Sequence, residues 1–106
     1  MEISFKKQVL ADLYEGKKIT DKAYKSNPTL IKQYIKTIDK LKSLQNIEQA
    51  FQFKTLRYEK LTGNLRGKSS VSVNMQYRII FEEVTANEEP FEIILLEIEE
   101  LSNHYQ

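Results

Sequence analysis

Seven side chains in the C-terminal half of the chain, Arg57, Glu59, Lys60, Arg66, Lys68, Arg78 and the sole histidine, His104, are of the types that can act on a phosphodiester. Guanidinium and ammonium groups, with the backbone amides of a glycine turn, can hold a phosphate. A carboxylate or an imidazole can move the proton. Imidazole titrates near neutrality, with a reference value of about 6.5, which suits proton transfer at physiological pH. These are the groups that metal-free cleavage of RNA requires. Each also has an ordinary role: an exposed strand arginine is usually solvated, Glu59 can pair with a neighbouring cation, and a histidine near a terminus is usually incidental.

The turn at residues 63–69, GNLRGKS, is close to a nucleotide-binding P-loop but leaves three residues between the glycines where four are needed. A strand pattern follows it, not the helix whose N-terminus would face the phosphates, so ATP or GTP binding is not expected. Gly63 and Gly67 are expected to supply turn conformations, with Arg66 and Lys68 adding charge.

Composition narrows the classes. At 106 residues the chain is long enough for one domain with one modest core, and a 41% hydrophobic, 29% charged composition is that of a soluble globular protein. No apolar run approaches the roughly 18 residues of a membrane span, and the N-terminus carries no secretory pattern, so a cytoplasmic setting without membrane association is expected. Zero cysteines and one histidine leave only oxygen ligands for a metal, so neither a zinc site nor any cofactor is expected. The net charge of +1 hides a dipolar sequence. Residues 1–81 carry all 16 Lys and Arg against 7 acids (+9), and residues 82–106 carry 8 acids and no Lys or Arg (−8). Such a basic body is compatible with nucleic acid, although on charge alone a solvated surface is the favoured reading.

The elements that must position these groups follow from periodicity and turn chemistry. Ile3 and Phe5 flank Ser4 as a short first strand; Val9, Leu10, Leu13 and Tyr14 recur at helical spacing up to a stop at Gly16. After a polar connection, Asn27 and Pro28 start a long helix with Leu30, Ile31, Tyr34, Ile35, Ile38, Leu41 and Leu44 along one face. A short helix is expected over residues 47–53. Val71 and Val73 alternate with polar neighbours, as do Tyr77, Ile79 and Phe81 with Arg78 and Ile80, predicting a hairpin turning at Asn74, Met75 and Gln76. Residues 91–98 contain the run Ile93, Ile94, Leu95, Leu96, which predicts a central strand covered on both faces. The fold class is therefore α+β, helices first and an antiparallel sheet after them.

The pattern LTGNLRGKSSVSVNMQYRIIF over residues 61–81, with the closing Leu101, Ser102, Asn103 and His104, resembles the HigB branch of the RelE/ParE toxin superfamily. The likeness extends over nearly the whole chain. It implies one RelE/ParE-like toxin domain over residues 1–106, with N-terminal helices packed on a small antiparallel sheet. It also implies the toxin of a type II toxin-antitoxin system: a ribosome-dependent endoribonuclease that cleaves mRNA by 2′-hydroxyl attack, restrained by a cognate antitoxin protein. That antitoxin would be of helix-turn-helix type, carrying the complex to operator DNA. By the same resemblance Arg78 matches the family's strand arginine and His104 its C-terminal acid or base, while Arg66 and Lys68, with Arg57 beside them, would hold the RNA backbone. Where related toxins carry a histidine and a lysine before the glycine, this chain has Glu59 and Thr62, with Lys60 the nearest cation. Glu59 is then the replacement base or Lys60 the replacement charge, and the departure points to slow cleavage. Two other readings stay open: a ParE-like toxin that inhibits DNA gyrase by binding, and a domain that only binds its antitoxin and regulates transcription with it.

Overall fold

Turn and cap chemistry sets the first half of the chain. In a computed structural model describing residues 1–103, strand β1 spans Glu2–Phe5 and helix α1 spans Gln8–Glu15. Gly16 closes α1 in the left-handed conformation, φ 75°, where its amide reaches back to the helix carbonyls. Helix α2 is a single turn, Lys22–Lys25, capped by the Asp21 carboxylate. Helix α3 spans Pro28–Ser43, and the Asn27 side chain accepts a hydrogen bond from the Leu30 amide at 3.2 Å. Two 3-10 segments, Ile47–Gln52 and Lys54–Leu56, carry the chain onward. The expected helix at residues 47–53 therefore takes the tighter 3-10 form.

The sheet is five-stranded, in the order β1-β5-β4-β3-β2, with β2 at Glu59–Lys60, β3 at Lys68–Ser72, β4 at Arg78–Thr85 and β5 at Ile93–Ser102. Strands β2 to β5 are antiparallel as anticipated, and β1 joins β5 in parallel, with Glu2 opposite Leu95 and Phe5 opposite Ile98. The helices lie on one face. Leu10 and Leu13 of α1 and Leu30, Tyr34, Ile38 and Leu41 of α3 form one core with Val71, Ile79, Phe81, Leu96, Ile98 and Leu101 of the sheet. No helix among the described residues is long and apolar enough to cross a membrane.

One expectation needs correction. Strand β5 is internal to the sheet but is not covered on both faces, because Ile94 is 52% exposed and Glu97 and Glu99 share the face opposite the helices. Burial on both faces occurs instead in the first half of β4, where Arg78, Ile79, Ile80 and Phe81 are all buried, and at Ser69, Ser70 and Val71 of β3. An unbroken apolar run signals double coverage only when something packs on the second face, and along β5 that face carries the acids Glu97 and Glu99.

Tyr34 ties α3 to α1 through the core. Fully buried, it donates its hydroxyl to the Leu10 carbonyl at 2.8 Å, and burial pushes the phenol well above the usual tyrosine range. Tyr34→Phe keeps the ring and removes the donor. It is expected to cost about 1 kcal/mol in urea unfolding, with the slope of the transition unchanged. A loss within error would mean that the carbonyl is satisfied equally well without the hydroxyl.

Candidate functional site

Strand pairing decides which side chains share a face. Glu59 lies opposite Ser70 and Ser70 opposite Ile80, while Ser72 lies opposite Arg78 and Arg78 opposite Ser102. Because side chains alternate along a strand, Glu59, Ser70, Ser72, Arg78 and Ser102 all fall on the face away from the helices. The period of two that puts Ile79 and Phe81 in the core thus sends Arg78 to the other side.

Arg78 is 7% exposed, and its guanidinium is held from three directions. Its Nε donates to the hydroxyl of the fully buried Ser70 at 3.0 Å, and one terminal nitrogen donates to the Arg57 carbonyl at 2.6 Å. The same nitrogen lies 3.5 Å from the Glu59 carboxylate, whose side chain is 44% exposed. Burial lowers the guanidinium below its usual value; Glu59 opposes that shift, and the neighbouring Arg57 adds to it. Arginine nonetheless stays charged at any pH the protein meets, so the site holds a fixed cation beside a carboxylate that can accept a proton.

Arg57 pays for this arrangement in backbone strain. It adopts φ 45° and ψ 49°, the left-handed region that a residue with a side chain enters at a cost of about 1–2 kcal/mol. In that conformation it ends the second 3-10 segment and presents its carbonyl to Arg78. Only the local composition of two arginines and a glutamate was visible in the sequence; no motif announces a left-handed residue other than glycine at this position.

The other predicted cations separate into two groups. Lys60 and Arg66 are exposed, Lys60 on β2, where its pairing with Ser69 sets it on the sheet face opposite Glu59, and Arg66 in the turn between Gly63 and Gly67, both of which have positive φ. Lys68 lies on the sheet face of Arg78 but reaches the acidic strands. Its ammonium contacts Glu99 at 2.6 Å and Glu82 at 3.5 Å, and the bond to Glu99 holds it above the usual lysine range. The pairing of Ile80 with Glu100 but Phe81 with Ile98 leaves Glu99 as an extra residue, a bulge that re-aims its side chain. The carboxylates of Glu82, Glu97 and Glu99 lie within 4.8 Å of one another, with Lys68 paired to Glu82 and Glu99 and Lys6 lying 4.0 Å from Glu99.

A second polar group sits across the sheet. Tyr58 and Ser69 both donate to the Glu83 carboxylate, Ser69 at 2.8 Å, and burial pushes the Tyr58 phenol up to about 12. Its ring packs edge-on against Phe51, which places it under the 3-10 segment and away from Arg78. His104, the predicted acid or base, lies outside the described residues. Near the end of the described chain, Ser102 pairs with Arg78.

Comparison with known proteins gives a consistent picture. Residues 3–92 match the family described as HigB-like toxin, a RelE-like toxin of type II toxin-antitoxin system HigB. No curated protein sequence gives a significant match. Among solved structures, the YoeB/ParE toxin from Agrobacterium tumefaciens superposes with a TM-score of 0.52 at 17% identity, covering 99% of this chain and 100% of that one. The YoeB dimer from Staphylococcus aureus gives 0.51 at 19% identity over 99% and 98% of the two chains. YafQ from E. coli strain BL21(DE3) gives 0.51 at 15% over 96% and 91%. At these identities the structures establish a common fold.

Proposed function

The chain belongs to the HigB-like family of RelE-like toxins of type II toxin-antitoxin systems, and on that footing we propose that it is a ribosome-dependent endoribonuclease acting on mRNA. The observation that carries this reading is the buried guanidinium of Arg78, braced by Ser70 and the Arg57 carbonyl, with the Glu59 carboxylate 3.5 Å away. A cation immobilised in advance costs no reorganisation when negative charge develops on a phosphorane. Residues 1–106 work as one domain.

In the reaction, Glu59 accepts the proton of a ribose 2′-hydroxyl, whose oxygen attacks the adjacent phosphorus. Arg78 offsets the charge of the pentacoordinate phosphorane. The bond from phosphorus to the 5′-oxygen breaks, and His104 supplies the proton to that oxygen, leaving a 2′,3′-cyclic phosphate and a 5′-hydroxyl. The exposed Arg66 and the side chain of Arg57 hold the flanking backbone, while Lys68 keeps its neighbouring carboxylates from repelling it. A cognate antitoxin of helix-turn-helix type restrains the toxin and carries the pair to operator DNA.

Induction of the chain in cells, followed by mapping of mRNA ends, tests the reading directly. Wild type is expected to create new 5′-hydroxyl ends in translated messages, and His104→Ala to reduce them by about 10²-fold or more. Intact messages together with inhibited gyrase would replace the nuclease with a binding toxin.

A further inference from the structure

A second cationic site lies on the helix layer, where α3 meets the end of β3. Gln33, Lys36, Thr37 and Lys40 recur at the spacing of one helix face along α3, and with Thr55, Ser72 and the apolar Leu56 and Val73 they line a cleft of about 180 Å³. Its floor is fixed by the hairpin: the Asn74 amide donates to the Gln33 side chain at 2.8 Å, and the Ser72 hydroxyl to the Asn74 carbonyl at 2.8 Å. No acidic residue lines it. Among the described residues, neither Lys36 nor Lys40 is in an ion pair, in contrast to Lys68, which its carboxylates neutralise. The Lys40 ammonium sits 5.4 Å from the centre of the Phe53 ring, a cation–π contact that holds it at the cleft instead of leaving it to sweep through solvent.

We propose that this cleft is a phosphate subsite for the RNA strand, in which Lys36 and Lys40 grip a phosphodiester flanking the one at Arg78, with Phe53 positioning Lys40. The inference rests on the nuclease reading for its substrate. The spatial link is covalent and short. Thr55 lines the cleft and Arg57 binds Arg78 through its carbonyl, so two residues of backbone, about 7 Å when extended, connect the sites. Ser72 completes the link, since it lines the cleft and is the strand partner of Arg78. Two ammonium groups outside any ion pair suit an anion such as a phosphodiester; the Thr37 and Ser72 hydroxyls already donate to the Gln33 and Asn74 carbonyls, so the lysines carry the recognition, and nearness to Arg78 selects the RNA strand over a carboxylate-bearing segment. Both lysines lie off the apolar stripe of α3, and only the packing of the hairpin turns that side of the helix into a cleft.

The test uses the full-length chain and a fluorescent hexaribonucleotide carrying 2′-O-methyl groups, which removes the attacking hydroxyl so that binding is read without cleavage. The double variant Lys36→Ala with Lys40→Ala is expected to bind about tenfold more weakly, and the slope of log affinity against log salt to shrink by about 0.7 for the one phosphate lost. Alanine is a strong helix former, so α3 is retained, which circular dichroism checks. Phe53→Leu should weaken binding only through Lys40, so adding it to Lys40→Ala produces no further loss. Equal affinity and slope in wild type and double variant, or no binding by wild type, overturns the subsite. So does a loss confined to affinity for the antitoxin. Message cleavage on the ribosome, followed in parallel, separates the two ideas. Cleavage that ignores Lys36 and Lys40 removes the subsite and keeps the nuclease; lysine-dependent binding without cleavage keeps the subsite and removes the nuclease.

Discussion

Arg78→Lys is expected to lower ribosome-dependent cleavage by about 10²–10³-fold while leaving the melting temperature within a few degrees of wild type. Lysine preserves the positive charge but has no planar fork, so it cannot donate to Ser70 and to the Arg57 carbonyl while facing a phosphate. The arginine is useful because its position is already set before the substrate arrives. A mobile ammonium must be ordered in the transition state, and that cost appears in kcat. Alanine is the poorer choice, since at a position only 7% exposed it would strand the Ser70 hydroxyl and the Arg57 carbonyl and confuse loss of chemistry with loss of fold. Single-turnover cleavage of a defined message, with a thermal melt on the same preparation, distinguishes them. A folded lysine variant that cleaves within about threefold of wild type would remove Arg78 from the chemistry.

Glu59→Gln is the companion experiment, with an expected loss of about 10²–10⁴-fold, the range for a general base. The substitution keeps the shape and can still accept a hydrogen bond from Arg78, but an amide does not take a proton at neutral pH. The two readings of this carboxylate then part. A base makes the loss appear in kcat and removes the acidic limb of the pH–rate profile. A mere ion-pair partner leaves both intact, because a pair whose acid is 44% exposed contributes only about 0–1 kcal/mol. Retention of the acidic limb in Glu59→Gln would transfer the base to another group.

Much of the fold was legible because its signals are local. Asn27 with Pro28 starts α3, Gly16 stops α1, and the alternation at Val71, Ile79 and Phe81 marks strands, each through chemistry that acts within a few residues. The hairpin at Asn74 is of the same kind, its side chain accepting from the Gln76 and Tyr77 amides at 2.8 Å. The parallel pairing of β1 with β5 was not legible, since it joins the two ends of the described chain and no neighbouring residue encodes it. Nor was the one-sided exposure of β5, which depends on where the helices pack.

By itself the sequence determined the inventory: one histidine, no cysteine, a basic body with an acidic C-terminal part, and helical and strand periods that put Arg78 opposite the core residues Ile79 and Phe81. Tertiary structure alone decided which charges meet. Register set Glu59 beside Arg78, a left-handed Arg57 aimed its carbonyl at the guanidinium, and a bulge turned Glu99 towards Lys68 while Lys36 and Lys40 stayed uncompensated. The reason is one of range. Propensity and patterning act over a turn of helix or a pair of strand positions, whereas the field at a phosphate is the sum over side chains that only the closed sheet brings within a few ångströms of each other.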